Sequence, residues 1–231
     1  MRRTKKILTT EDIFEDREIK AMIKHLDSLR ENLTNVTTKF YIELCHYCGL
    51  RVSEACLLTW NDIAVTGDGK SGSIQIRSGK GDKPREVFIG ETGVKLINNH
   101  KKNLESLGID TLKRIKGNTE YRGYDKNGKK IKVEFPAARY MFISKKGGRL
   151  TSSRMNHRFK DLMRDLQNLG KIRKASFSTH NLRHTFATNC LDKGMKLHSL
   201  RDQLGHTNIG ITNQYLHLTK KAKITIQEIM G

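Results

Sequence analysis

No apolar run in this sequence approaches the ~20 residues that a membrane-spanning helix needs, and its start, Met1-Arg2-Arg3-Thr4-Lys5-Lys6, holds no hydrophobic signal core. The expectation is a cytoplasmic, intracellular protein with no membrane partner. Cysteine pairs are lacking too. Of the four cysteines (Cys45, Cys48, Cys56 and Cys190), Cys45 and Cys48 have the spacing of half a zinc site, but no second pair completes it. Cys45 and Cys48 share a helical stretch with Phe40, Tyr41 and Leu44, and Cys190 follows Leu182 and Phe186 at four-residue steps, a pattern of buried free thiols. Acidic triads of the kind that hold metal ions in nucleases are also missing, so no metal is expected. No internal repeat or long linker divides the chain.

Negative charge is the scarcest commodity: 24 Asp plus Glu stand against 44 Lys plus Arg, leaving a formal charge of +20. That excess is larger than solubility requires and points to a polyanionic partner. Hydrophobic residues make up 36% and are interleaved with the charges, which describes a folded surface and not a disordered basic tail. At 231 residues the chain can bury one sizeable core, so one main domain is expected.

Helical spacing predicts a first helix after Thr9 or Thr10, where Glu11 and Asp12 suit its positive end and Ile19, Met22, Ile23 and Leu26 form an apolar stripe. A second runs from about Thr34 to Cys48, stopped by Gly49. Leu50 to Leu58 reads as a short helix with Ser53 as its cap and Arg51 at the junction before it. Between about 63 and 90, Ile74 and Ile76 alternate with polar residues, Gly79-Lys80-Gly81-Asp82 is turn chemistry, and Val87-Phe88-Ile89 resumes a strand. This is a small antiparallel sheet with Lys80 at or near a turn. Helical spacing returns from about 92 to 107. Residues 110–135 are Lys-rich, with a turn signal at Asp125-Lys126-Asn127-Gly128, and form a hairpin or an inserted segment. From Thr151 an apolar face of Met155, Phe159, Leu162, Met163 and Leu166 marks another helix, followed by segments at about 179–192, 196–204, 208–217 and 220–230. The fold class is mainly α with a small antiparallel β-sheet (α+β), in a single domain over 1–231 that ends in a tail helix at 218–231.

Six residues stand out for their chemistry: Arg51, Lys80, His180, Arg183, His206 and Tyr215. His180 and Arg183 lie three apart and so share one helix face, while Leu182, Phe186 and Cys190 fill an inward stripe. Thr179 can cap that helix, placing His180 near unsatisfied amides that favour an anion. Each residue also has an ordinary explanation. His-x-x-Arg pairs arise by chance in basic chains, Arg51 can be a helix-end cation, Lys80 a turn lysine, and His206 a histidine after the helix-stopping Gly205. Tyr215, with Ile211 four residues before it, can equally be a core aromatic.

Five segments decide between these readings: Gly49-Leu50-Arg51-Val52-Ser53-Glu54, Gly79-Lys80-Gly81 followed by Arg85, His180-Asn181-Leu182-Arg183-His184-Thr185-Phe186-Ala187-Thr188, Leu204-Gly205-His206-Thr207, and Tyr215. In order and interval, over about residues 10–220, they resemble the tyrosine recombinase (lambda integrase) family, close to its Xer type and to transposon integrases. The resemblance implies the tyrosine recombinase catalytic-domain fold and a DNA-cleaving and rejoining enzyme. Tyr215 would attack the scissile phosphate, forming a 3′-phosphotyrosyl link and releasing a 5′-hydroxyl. Arg51 and Arg183 would clamp the nonbridging oxygens, His206 would add a donor, His180 would accept or share the Tyr215 proton, and Lys80 would protonate the leaving oxygen. Neither metal nor ATP is required, because one phosphate ester replaces another.

Double-stranded DNA is then the implied partner, with Arg77, Lys83, Arg149, Arg154, Arg158 and Arg173 as candidate contacts that can equally be solvated surface charges. A tetramer is implied in the synaptic complex, with a monomer when free. Arg51 comes too early for the N-terminal DNA-gripping domain that most relatives carry, so that domain is expected to be absent, by truncation or because the enzyme is naturally minimal. Two alternatives stay open: a type IB topoisomerase-like relaxing enzyme, and a noncatalytic DNA-binding regulator of the same fold.

Overall fold

A computed structural model describes residues 7–77, 84–116, 118–124, 127, 129–135 and 137–219. The first helix, α1, spans Asp16–Ser28, later than its apolar spacing suggests. Residues Thr10–Asp12 instead form a separate 3-10 turn, closed by the Asp12 carboxylate on the Thr9 amide at 3.0 Å. The break has a packing cause: the Phe14 amide donates to Thr185 Oγ1 at 2.7 Å, and its ring meets Phe159 edge-on at 6.2 Å, so the chain is pinned before α1 begins.

Helix α2, Leu33–Cys48, starts where Asn32 Oδ1 accepts from the Thr34 and Asn35 amides at 2.9 and 3.1 Å. It ends at Gly49, whose φ of +66° suits only glycine without strain. A Cβ there would also lie 2.3 Å from the Phe186 ring. Helix α3 is only Val52–Ala55, and its cap is not Ser53: the Arg51 amide donates to Glu54 Oε2 at 2.8 Å, so Glu54 supplies the acceptor.

Strands β1 (Ile63–Val65), β2 (Ser71–Ile76) and β3 (Arg85–Gly90) form an antiparallel sheet in that order, with Ile74 opposite Val87. Ile74, Ile76, Val87 and Ile89 face the core, as their alternation requires. The turn expected at Lys80, and Lys83 with it, lie outside the described residues. Helix α4 is Glu91–Ser106, and β4 (Asn118–Tyr124) pairs antiparallel with β5 (Lys130–Phe135), so the Lys-rich stretch forms a hairpin.

Helix α5, Ser152–Asn168, is capped by Thr151, whose hydroxyl accepts from the Arg154 amide at 3.1 Å. Helix α6, Thr179–Asp192, is capped by Ser178 and not by Thr179. The reason is reciprocity: Asn181 accepts from the Ser178 amide at 2.8 Å while Ser178 Oγ accepts from His180, and Thr179 is left to donate to Asn156 Oδ1 at 2.7 Å. Helices α7 (Leu197–Leu204) and α8 (Ile209–Asn213) follow, and a 3-10 turn at Leu216–Leu218 replaces the rest of the expected 208–217 helix. The expected tail helix falls, from residue 220 onward, outside the described residues.

The main core joins α1, α2, α4 and α5 to the inner face of the three-stranded sheet, and a second apolar cluster of Leu8, Phe186, Leu200, Leu204, Tyr215 and Leu218 seats α6, α7 and the segment after α8. Cys45, Cys48 and Cys56 are buried and Cys190 half-buried, all free, with burial pushing the Cys48 and Cys56 thiols up to about 12. Among the described residues, no helix is long and apolar enough to cross a membrane.

Candidate active site

Glu54 organises the site, a role that sequence spacing alone did not reveal. Its carboxylate takes a two-pronged pair from Arg85 at 2.8 and 2.9 Å and a third bond from Arg51 at 2.8 Å, with Arg183 at 3.8 Å. Burial alone would raise the Glu54 pKa, but the hydrogen bonds and charge of Arg85, then Arg51 and Arg183, outweigh it and hold the group down to about 2. Arg183 is 1% exposed and donates to the carbonyls of Gly49 at 2.7 Å and Leu204 at 2.5 Å. These two bonds tie α6 to the ends of α2 and α7. Burial and the neighbouring charge of Arg51 bring the Arg183 pKa down to about 10, against the pull of Glu54. Three guanidinium groups against one carboxylate leave net positive charge in a partly dry place, an environment that favours an anion.

Gly205 ends α7 with a φ of +67°, and a Cβ there would meet Arg85 Cδ at 2.7 Å. The glycine thus lets α7 close onto the Arg85–Glu54 fork and aims the next residue, His206, inward. His206 Nδ1 pairs with Thr212 Oγ1 at 2.9 Å. Burial, then the charges of Arg183 and Arg51, lower the His180 pKa to about 4 and the His206 pKa to about 3, so both rings are neutral near pH 7.

Arg51, His180, Arg183, His206 and Tyr215 all line one cavity of about 300 Å³, with Gly205, Thr207, Ile211 and Gln214. Five of the six candidate residues therefore share one pocket, and the sixth, Lys80, lies outside the described residues. Tyr215 is 1% exposed, and its hydroxyl pairs with His184 Nδ1 at 3.0 Å. Burial raises its pKa above the ordinary phenol value, opposed in part by the charge of Arg183. The Tyr215 ring packs in the second apolar cluster, and the residue also borders the pocket. His184, one turn after His180 on α6, was not singled out by sequence, although the i,i+4 spacing carried that signal.

The candidate surface contacts divide. Arg154 and Arg173 are exposed, and Arg77 is exposed with its guanidinium on the buried Asp62 at 2.6 Å. Arg149 and Arg158 are buried, 2% and 9% exposed, donating to the Cys56 carbonyl and to Thr37 Oγ1. Lys83 lies outside the described residues. Among the described residues no group of three or more His, Cys, Asp or Glu is placed to hold a metal ion.

Comparison with known proteins places the chain in a family. The model of the phage integrase family matches residues 13–222. The chain belongs to that family. Over 184 residues this integrase-family chain is 29% identical to tyrosine recombinase XerC of Bacillus subtilis (strain 168), covering 78% of this chain and 49% of that protein. Among solved structures, the XerH site-specific recombinase in its post-cleavage complex with palindromic difH substrate aligns with a TM-score of 0.67 at 22% identity, over 97% of this chain and 54% of that one. The catalytic domain of bacteriophage HP1 integrase aligns with a TM-score of 0.53 at 19% identity, over 94% of this chain and 93% of that domain. The fold is that of a tyrosine recombinase catalytic domain, mainly helical with a small antiparallel sheet. The integrase-family chain spans about half the length of the curated relatives it matches.

Proposed function

We propose that this chain is the catalytic domain of a site-specific DNA recombinase that cleaves and rejoins strands of double-stranded DNA through a 3′-phosphotyrosyl bond at Tyr215. The observation that carries the proposal is the convergence of two guanidinium groups, two neutral imidazoles and one phenol on a single 300 Å³ cavity. Permanently charged planar forks suit the nonbridging oxygens of a phosphodiester better than ammonium groups do. Arg51 and Arg183 would therefore hold the phosphate and match the charge that grows on the phosphorane.

In the cleavage step, the Tyr215 oxygen forms a bond to phosphorus as the bond to the 5′-oxygen breaks. His180, kept neutral by its surroundings, would accept the phenol proton, and Lys80 would supply one to the leaving oxygen. With Nδ1 engaged by Thr212, His206 has Nε2 left to donate to a phosphate oxygen. Because the product ester is close in energy to the diester it replaces, a free 5′-hydroxyl can reverse the step on a new strand without ATP and without a metal ion. Exchange between two duplexes needs four such cleavages and hence four protomers, which supports a tetrameric synapse formed from monomers.

The formal charge of +20 supports binding along the duplex backbone. Arg77, Arg154 and Arg173 are the exposed candidates for phosphate or groove contact. Arg149 and Arg158 would act from the interior, by holding the framework under α5. Incubation with nicked DNA carrying the suspected site tests the reading: wild type should leave a denaturation-resistant protein–DNA adduct and Tyr215→Phe none. An adduct of equal yield in both would contradict it.

A further inference from the structure

We infer that Thr212 is a positioning residue that selects the His206 tautomer able to donate from Nε2 into the phosphate cavity. The inference rests on the reading of His206 as a donor to the phosphate that Tyr215 attacks, and goes beyond it by naming what orients that donor. His206 Nδ1 and Thr212 Oγ1 lie 2.9 Å apart, and Thr212 is 0% exposed. Two arrangements fit that distance. Either the ring donates from Nδ1 and turns a bare lone pair at Nε2 to the phosphate, or the hydroxyl donates to Nδ1 and Nε2 keeps the proton. Only the second gives the phosphate oxygens a donor. Burial, then the charges of Arg183 and Arg51, lower the His206 pKa to about 3, so near pH 7 the ring carries one proton and its location matters.

The other acceptors within reach of the hydroxyl decide the direction. A threonine inside a helix commonly returns its proton to a carbonyl one turn back, as Thr37, Thr38, Thr185 and Thr188 do to Leu33, Thr34, Asn181 and His184. Thr212 departs from that habit: among the described residues, the hydrogen-bond partner of its hydroxyl is His206 Nδ1 and no carbonyl. The Thr212 proton therefore has the Nδ1 lone pair as its acceptor, and the opposite tautomer would leave a buried hydroxyl proton without one. The cavity lining includes His206 but, among the described residues, not Thr212, so the Nδ1 edge of the ring faces the interior and Nε2 is the nitrogen left for a phosphate. Thr212 also touches the segment of the nucleophile. The Tyr215 amide donates to its carbonyl at 3.1 Å, and the His206 and Tyr215 rings lie 14° from parallel with centroids 6.4 Å apart. One buried residue thus orients the donor ring and anchors the backbone of the phenol.

The test uses the full chain with isotopically labelled histidine ring nitrogens, the His206 signals being assigned in nuclear magnetic resonance spectra by their loss in His206→Ala. In free wild type near pH 7 the proton should sit on Nε2, with Nδ1 unprotonated. Thr212→Val keeps the branched shape and removes the hydroxyl. The single-turnover rate of adduct formation on saturating nicked DNA carrying the suspected site should then fall by roughly five- to ten-fold, the worth of one neutral hydrogen bond, with DNA affinity retained. Thr212→Ser, which returns the hydroxyl, should restore the rate. In a His206→Ala background Thr212→Val should cost nothing more, because the hydroxyl acts only through the imidazole. A proton on Nδ1 in free wild type overturns the inference while leaving Tyr215 as nucleophile intact. So does a Thr212→Val rate level with wild type, or an equal loss in the His206→Ala background, which marks a purely structural role. Where Thr212→Val does not fold, the wild-type tautomer decides alone. Failure of wild type to form any adduct, even with the proton on Nε2, removes the nucleophile reading and the inference with it.

Discussion

Arg183 combines two duties that a lysine cannot share. Its guanidinium reaches two carbonyls on different elements at 2.7 and 2.5 Å while it borders the cavity. Arg183→Lys keeps the charge and loses the fork, so adduct formation should fall by roughly 100-fold or more, as when one donor to a developing anion is removed. Single-turnover cleavage at saturating DNA measures it, and a rate within three-fold of wild type would argue against the clamp. Neighbouring groups of the site make stability depend on pH. The folded pKa values of Glu54 (about 2), His180 (about 4) and His206 (about 3) all lie below their unfolded values, so each group binds more protons when unfolded. Their contributions are present above the unfolded pKa values and are lost as pH falls, from about 6.5 for the histidines and about 4.5 for Glu54. Part of the histidine contribution is screened, because His180 reaches solvent. Urea midpoints should therefore drop steadily from pH 7 to pH 4, and less in His206→Asn. At this scale the sequence exposed residues whose chemistry is rare and spaced by motif, such as Arg183 and Tyr215. Glu54 and Arg85 stood in those motifs without a role, because their pairing comes from contacts across 31 and 118 residues.

Elements were legible where a strong cap and a long apolar stripe agree, as in α2 and α5. They were misread where a neighbour in space chose between two local options. Ser178 and Thr179 are both good caps, and Asn181 selects the first. The stretch from 208 to 217 has helical spacing, yet α8 stops at Asn213, and the Tyr215 amide bonds the Thr212 carbonyl at 3.1 Å in a tightened turn. Gly49 shows how an element end builds the site: it lets α2 stop, brings Phe186 close, and offers its carbonyl to Arg183. Gly49→Ala adds left-handed strain of about 1–2 kcal/mol and overpacking of about 1–3 kcal/mol. Chemical denaturation should show a loss of about 2–5 kcal/mol, and a loss below 1 kcal/mol would mean that the α2–α6 contact adapts freely.

Over the whole molecule, composition foresaw a folded basic surface, but it could not separate exposed from structural arginines, since burial is a property of the assembled core. That division predicts different phenotypes. Arg154→Ala and Arg173→Ala should each weaken DNA binding and lower the slope of log affinity against log salt by about one, leaving stability unchanged. Arg149→Ala should instead lower the unfolding midpoint, because it empties a buried site bonded to the Cys56 and Leu150 carbonyls. Salt titrations beside thermal melts distinguish the two classes. All of this depends on distant cations presenting one phosphorus atom to one phenol. The most direct check is mass spectrometry of the trapped protein–DNA adduct after nuclease and trypsin digestion. The account predicts a residual nucleotide on the peptide from Asp202 to Lys220, attached to Tyr215. A nucleotide on any other side chain, or an adduct that survives in Tyr215→Phe, would contradict it.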